Sequence, residues 1–156
     1  MSPDFSDMLS ALNAERAEYL VVGGYALGVH GWPRATKDID IWVRPTAENA
    51  ERVLRALLRF GAPLHGLVAA DLARPGSVFQ IGVPPQRIDI LTTIDGVKFD
   101  DAWPHRTSAE WDTVRVPVIG RAQLIQNKRA SGRRQDLADI ERLESAPPED
   151  AGGAKR

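Results

Sequence analysis

Residues 20–43 constrain this chain more than any other stretch. An apolar run, Leu20-Val21-Val22, stops at Gly23-Gly24; after a thirteen-residue spacer, a second run begins as Asp38-Ile39-Asp40-Ile41-Trp42-Val43. A short run that alternates in this way reads as a strand, and side chains two positions apart share a face. Ile39 and Ile41 are therefore expected to point into a core, leaving Asp38 and Asp40 side by side, about 7 Å apart along the backbone. Like charges at short range raise each other's pKa, so a pair like this calls for a cation. The run Arg87-Ile88-Asp89-Ile90-Leu91 repeats the logic, with Ile88 and Ile90 inward and Asp89 on the opposite face. Three strand-borne carboxylates on one side of a sheet suit a divalent metal. The glycine pair adds a place where backbone amides, unshielded by a Cβ, can approach a phosphate, with Tyr25 to His30 as a helical segment behind it.

The remaining pattern supplies the elements that carry these residues. Phe5, Met8, Leu9 and Leu12 recur at helical spacing and predict a packing helix over residues 4–17. Tyr19 to Val22 reads as a short central strand, and Gly31-Trp32-Pro33 breaks the helix that follows it. Thr46 is placed to cap a helix running to about Phe60, with Ala50, Val53, Leu54, Leu57 and Leu58 as its apolar stripe. A weaker helix is expected over residues 65–73. Val78 to Val83 and Arg87 to Thr93 form a predicted hairpin in which Phe79, Ile81 and Val83 share a core face with Ile88 and Ile90. Residues 96–113 read as irregular, with Trp103 and Trp111 as surface covers. Residues 113–119 read as a strand, which Pro117 places at a sheet edge. Two helices, residues 121–130 and 134–144, end the domain, the second with Leu137, Ile140 and Leu143 inward. The expected architecture is α/β (α+β): a mixed sheet of four or five strands, helices mainly on one face and the carboxylates on the other. Residues 1–145 form one domain, and residues 146–156, poor in apolar side chains, form a disordered tail.

Several function classes drop out. The chain has 156 residues, no cysteine and a net charge of -1, which rules out disulfides, thiolate metal sites and a global basic field for duplex DNA. His30, His65 and His105 fall on different elements and lack metal-ligand spacing. No P-loop lysine signature or nucleophile elbow is present. The N-terminal residues lack a signal-peptide pattern and no apolar run reaches a membrane span, so a cytoplasmic location is expected.

Together, the glycine pair, the Asp38-Ile39-Asp40 strand and the later Asp89 resemble a minimal nucleotidyltransferase of the DNA polymerase β superfamily. The segment Arg34-Ala35-Thr36-Lys37-Asp38-Ile39-Asp40 is most similar to small bacterial members, some of which belong to abortive-infection or toxin-antitoxin systems. The resemblance covers residues 18–142. It implies transfer of a nucleoside monophosphate from an NTP, such as ATP, to a hydroxyl on RNA, a protein or a small molecule, with release of pyrophosphate. It also implies two Mg²⁺ ions, with Mn²⁺ as a substitute, held by Asp38, Asp40 and Asp89, the last also receiving the acceptor's proton. Gly23 and Gly24 would meet the β and γ phosphates through their amides, and Lys128 resembles a lysine that meets the triphosphate. Arg34 and Thr36 either touch phosphate or fix the loop. The competing reading is a binding module, an antitoxin-type partner that keeps the fold without turnover. The chain leaves little room for a dedicated acceptor-binding surface, which a homodimer or a cognate partner protein would supply.

Overall fold

The computed structural model describes residues 1–33, 36–83 and 86–145. Arg34, one of the expected phosphate contacts, and the tail expected to be disordered, residues 146–156, lie outside the described residues.

The element order is α1 (Pro3–Ala14), β1 (Tyr19–Val22), α2 (Gly23–Val29), β2 (Asp38–Val43), α3 (Ala47–Phe60), α4 (Ala69–Leu72), β3 (Val78–Ile81), β4 (Arg87–Leu91), α5 (Phe99–Ala102), a 3₁₀ turn (Trp103–His105), β5 (Thr107–Trp111), β6 (Val114–Val118), α6 (Arg121–Ser131) and α7 (Arg134–Ser145). The strands form one mixed sheet in the order β3-β4-β2-β1-β6-β5. β1 lies antiparallel to β2 and parallel to β6, while β2 and β4 run parallel. A parallel pair needs a long crossover, and here α3, α4 and β3 provide it. No helix among the described residues is long and apolar enough to cross a membrane.

Local signals explain most boundaries. Ser2 accepts the Asp4 amide at the start of α1, and Thr46 accepts the Asn49 amide at the start of α3. Gly61 ends α3 in the left-handed region at φ 91°, where a side chain would be strained. α1 stops at Ala14, short of the expected residue 17, because Arg16 turns out of the helix with φ 58°. Phe5, Met8, Leu9 and Leu12 of α1 and Ala50, Val53 and Leu57 of α3 are buried in one core with Leu20, Val21, Ile39, Ile41, Ile88 and Ile90. Leu58 and Leu137, expected on inward stripes, are more than half exposed, and Val83 is 76% exposed beyond the end of β3.

The sheet has six strands rather than four or five. The stretch read as irregular contains α5, the 3₁₀ turn and β5, and β5 is the true edge beside β6. Pro117 is tolerated in β6 because the parallel pairing with β1 is confined to Val21↔Val118; Pro117 itself faces Ser108 of β5.

Candidate active site

The register of two parallel strands builds the site. Asp38 of β2 pairs with Arg87 of β4, and Asp40 pairs with Asp89. Neighbouring strands lie about 4.8 Å apart, so the four side chains share one face of the sheet as a compact square. Ile39 and Ile88, one residue out of phase, go to the other face and are buried. The apolar alternation thus fixes the register, and the register brings the carboxylates together.

The square is electrostatically loaded. The Arg87 guanidinium donates to Asp89 twice, Nε to Oδ1 at 2.9 Å and Nη2 to Oδ2 at 3.3 Å, and to Asp38 Oδ2 at 3.4 Å. Among the described residues, no arginine or lysine donates to Asp40. Burial pushes its carboxyl up to about 6, the Asp89 and Asp38 charges add to the effect, a hydrogen bond with Asp89 favours the protonated form, and Arg87 only partly opposes. Among the described residues, no group of three or more His, Cys, Asp or Glu side chains is drawn together tightly enough to hold a metal ion, and Arg87 occupies the space between two of the three carboxylates. The donor set itself, all carboxylate oxygen on adjacent strands, fits a hard divalent cation such as magnesium.

β1 runs antiparallel to β2, so Val22 lies opposite Asp40 and delivers the glycine pair beside the carboxylates. Gly23 begins α2 with φ 71°, and a Cβ added there would meet Asp40 Oδ2 at 2.3 Å. Gly23→Ala therefore strains the backbone and drives the Asp40 carboxylate out of place. The expected result is a loss of about 1 to 3 kcal/mol of stability, checked by urea denaturation. Gly24 is similarly close to Thr36, where a Cβ would lie 3.1 Å from Oγ1. The Thr36 hydroxyl donates to the Asp38 carbonyl at 3.1 Å, which ties the approaching loop to the first residue of β2. A cavity of about 310 Å³ lies next to this pair, lined by Gly24, Tyr25, Gly28, Thr36 and Trp111 among others. A larger cavity, about 830 Å³, lies at the other end of β1 around Tyr19, Trp103 and Arg115, away from the carboxylates.

Lys128 is placed differently from the glycines. Its ammonium is buried in α6, 3.0 Å from Asp139 Oδ2 and 3.6 Å from Asp136 Oδ1 of α7. Asp136 also accepts from Arg133, with Nε at 2.7 Å. Burial penalises the Asp136 charge, but Arg133 and Lys128 outweigh it and hold the carboxyl below its usual value. The Arg133 side chain is itself 78% exposed and lies within the field of Asp40. Tyr25 and Trp42 pack against other aromatics: Tyr25 against Phe5 and Trp111, and Trp42, which is 1% exposed, edge-on to Phe99.

Arg87 is the residue that the sequence reading missed. Its signal was present, since it stands two positions before Asp89 on a strand and so must share its face. Its contact with Asp38 becomes visible only once β2 and β4 are known to pair in parallel.

No protein-family model matches the chain, and no curated protein matches it in sequence. Solved structures do match its shape. The lincosamide antibiotic adenylyltransferase LnuA, solved with lincomycin bound, superposes with a TM-score of 0.58 at 15% identity, over 93% of this chain and 97% of its own. The antibiotic-resistance factor ANT(2'')-Ia gives 0.58 at 12% identity, over 96% of this chain and 82% of its own. A Thermotoga maritima protein described as a nucleotidyltransferase gives 0.53 at 16% identity, over 96% and 89%. At such identities the likeness is one of fold, and the fold of this chain is that of a minimal nucleotidyltransferase.

Proposed function

We propose that this chain is a divalent-metal-dependent nucleotidyltransferase that moves a nucleoside monophosphate from an NTP to a hydroxyl and releases pyrophosphate. The observation that carries the reading is the convergence of Asp38, Asp40 and Asp89 on one face of β2 and β4, directly beside the Gly23-Gly24 turn. Nucleotidyl transfer asks a protein for positioning and charge neutralisation more than for covalent chemistry, and this site offers those two things. The three carboxylates would hold Mg²⁺, which when bound neutralises the triphosphate and lowers the pKa of the attacking hydroxyl. Gly23 and Gly24 present amides to the β and γ phosphates, and the N-terminus of α2 carries no side-chain cap that would compete for them. Thr36 holds the loop that leads into Asp38. Asp89 takes the acceptor's proton as its oxygen bonds to the α-phosphorus, and the bond from that phosphorus to the β-phosphate oxygen breaks.

A small hydroxylated molecule is the acceptor class this reading favours. The chain spans LnuA, a lincosamide antibiotic adenylyltransferase solved with lincomycin bound, almost end to end. ANT(2'')-Ia has been solved in complex with adenylyl-2''-tobramycin, an adenylylated small molecule. The alternative, a binding module without turnover, draws on Arg87, which already supplies the carboxylates with a counter-charge.

The test is incubation with each α-³²P-labelled NTP and Mg²⁺, offered an aminoglycoside, a lincosamide, total tRNA or cell lysate, beside the Asp38→Asn, Asp40→Asn double variant. Label appearing on a small-molecule acceptor only with the intact carboxylates is the expected outcome. Label on RNA or protein instead would keep the chemistry and change the acceptor. No transfer with any metal, together with retained nucleotide binding, would sink the enzyme reading in favour of the binding module.

A further inference from the structure

We propose that Arg87 is a built-in counter-cation of the carboxylate site, one that holds Asp38 and Asp89 in the metal-free protein and is displaced when a divalent metal enters. The inference rests on the reading of Asp38, Asp40 and Asp89 as metal ligands and deepens it. Three observations carry it. Arg87 and Asp89 share a strand face, and Arg87 sits directly across from Asp38 in the register, so the guanidinium reaches both carboxylates without leaving the sheet surface. It binds them in a forked manner, two nitrogens to Asp89 and one of the same nitrogens to Asp38. The Asp89 side chain is 12% exposed, so its oxygens have little water to replace the guanidinium.

The lone pairs that Arg87 occupies are the ones a metal needs. Mg²⁺ binds oxygen at about 2.1 Å, so an ion held by either Oδ2 atom would lie no more than about 5.5 Å from Nη2, which is 3.3 to 3.4 Å from those oxygens. Two cations at that separation in a part-buried site repel, and the compact divalent ion is the better partner for several oxygens at once. Metal and guanidinium are therefore alternative occupants. In the absence of metal, Arg87 keeps like charges from destabilising the sheet; in its presence, Arg87 has to swing away, which weakens metal binding and delays it until an NTP brings additional oxygen ligands.

The experiment titrates Mn²⁺ into the nucleotide-free protein, by calorimetry and by the electron paramagnetic resonance of free Mn²⁺, for the wild type, Arg87→Gln, Arg87→Lys and Asp40→Asn. Removing charge-assisted hydrogen bonds from the competitor should tighten Mn²⁺ binding roughly tenfold or more in Arg87→Gln. The melting temperature of Arg87→Gln without metal should fall and be restored by Mn²⁺ by a larger increment than in the wild type. Arg87→Lys, which keeps a point charge without the fork, should lie between the two and serves as the readout if Arg87→Gln does not fold. Equal or weaker Mn²⁺ binding in both Arg87 variants, with binding lost in Asp40→Asn, would overturn the competition while leaving the metal site standing. Absence of Mn²⁺ binding in all four proteins would remove the metal reading and the inference with it.

Discussion

Asp40→Asn is expected to be more stable than the wild type at pH 7.5 in EDTA, and to transfer nucleotide at least roughly a thousandfold more slowly. The stability gain follows from the raised Asp40 carboxyl. Its ordinary value is 3.8 and burial, then the Asp89 and Asp38 charges, lift it to about 6 in the folded chain. The folded state therefore holds a proton that the unfolded chain has already released. Stability falls as pH rises from about 4 to about 6 and stays low above that; the charged carboxylate costs the metal-free fold on the order of 3 kcal/mol at neutral pH. Asparagine carries no charge at any pH and removes that cost. The activity loss follows from the metal-ligand role proposed for the same carboxylate, since metal-based charge stabilisation is worth several kcal/mol at the transition state and each 1.36 kcal/mol is tenfold in rate. Thermal melts of both proteins at pH 4.5 and 7.5 in EDTA, paired with the labelled-NTP assay, check the two halves. Equal pH dependence in wild type and variant would refute the stability argument, and unchanged transfer would refute the ligand role. Gaining stability while losing function is what a strained active site predicts.

Lys128→Met should have a large structural effect. Lys128 is 8% exposed and its ammonium neutralises part of a buried carboxylate pair, Asp139 at 1% and Asp136 at 2% exposure. Asp136 keeps Arg133 at 2.7 Å and Asp139 keeps Arg142 at 3.8 Å, so losing Lys128 leaves the buried cluster under-compensated rather than bare and costs about 3 kcal/mol, the low end for breaking a buried ion pair. For a domain of this size that corresponds to a drop of roughly 10 °C in melting temperature. The double variant Lys128→Met, Asp139→Leu should recover most of the loss, because an apolar replacement of both partners leaves no orphan charge. The same variant distinguishes the two roles open to Lys128. A lysine that works mainly on the triphosphate would raise the KM for NTP and leave the melting temperature nearly unchanged. A lysine that holds α6 to α7 would do the reverse, and its burial favours that result.

The parts of this molecule that could be read from residues alone are those whose side-chain period is short and strict. Ile39, Ile41, Ile88 and Ile90 announce β2 and β4, and with them the shared face of Asp38, Asp40 and Asp89. Thr46 and Gly61 bracket α3 by their capping chemistry. The missed strand, β5, has no comparable signal. Its residues Thr107 to Trp111 alternate only between half-buried and exposed, and its hairpin turns at Asp112-Thr113. Both turn residues take positive φ, 50° and 68°, in a place where glycine or asparagine usually marks such a turn. The carboxylate partners of Lys128 were hidden for a different reason. They lie on the next helix, beyond Gly132 at φ 67°, and the angle at which two helices meet is set by packing that no local window contains.

The parallel pairing of β2 with β4 also governs when the site comes into existence. Asp38 and Arg87 are register partners across 49 positions of chain, so their meeting requires the intervening α3, α4 and β3 to be formed or at least collapsed. Contacts of that sequence separation pay the entropy of loop closure before they return any stabilisation, and they form late. A nascent chain on the ribosome that has exposed the glycine pair and Asp38-Ile39-Asp40 still lacks both the third carboxylate and its arginine. The glycine turn and the complete carboxylate cluster are thus separated in biosynthetic time, and the chain passes through synthesis with its charges apart until the fold that can carry them is in place.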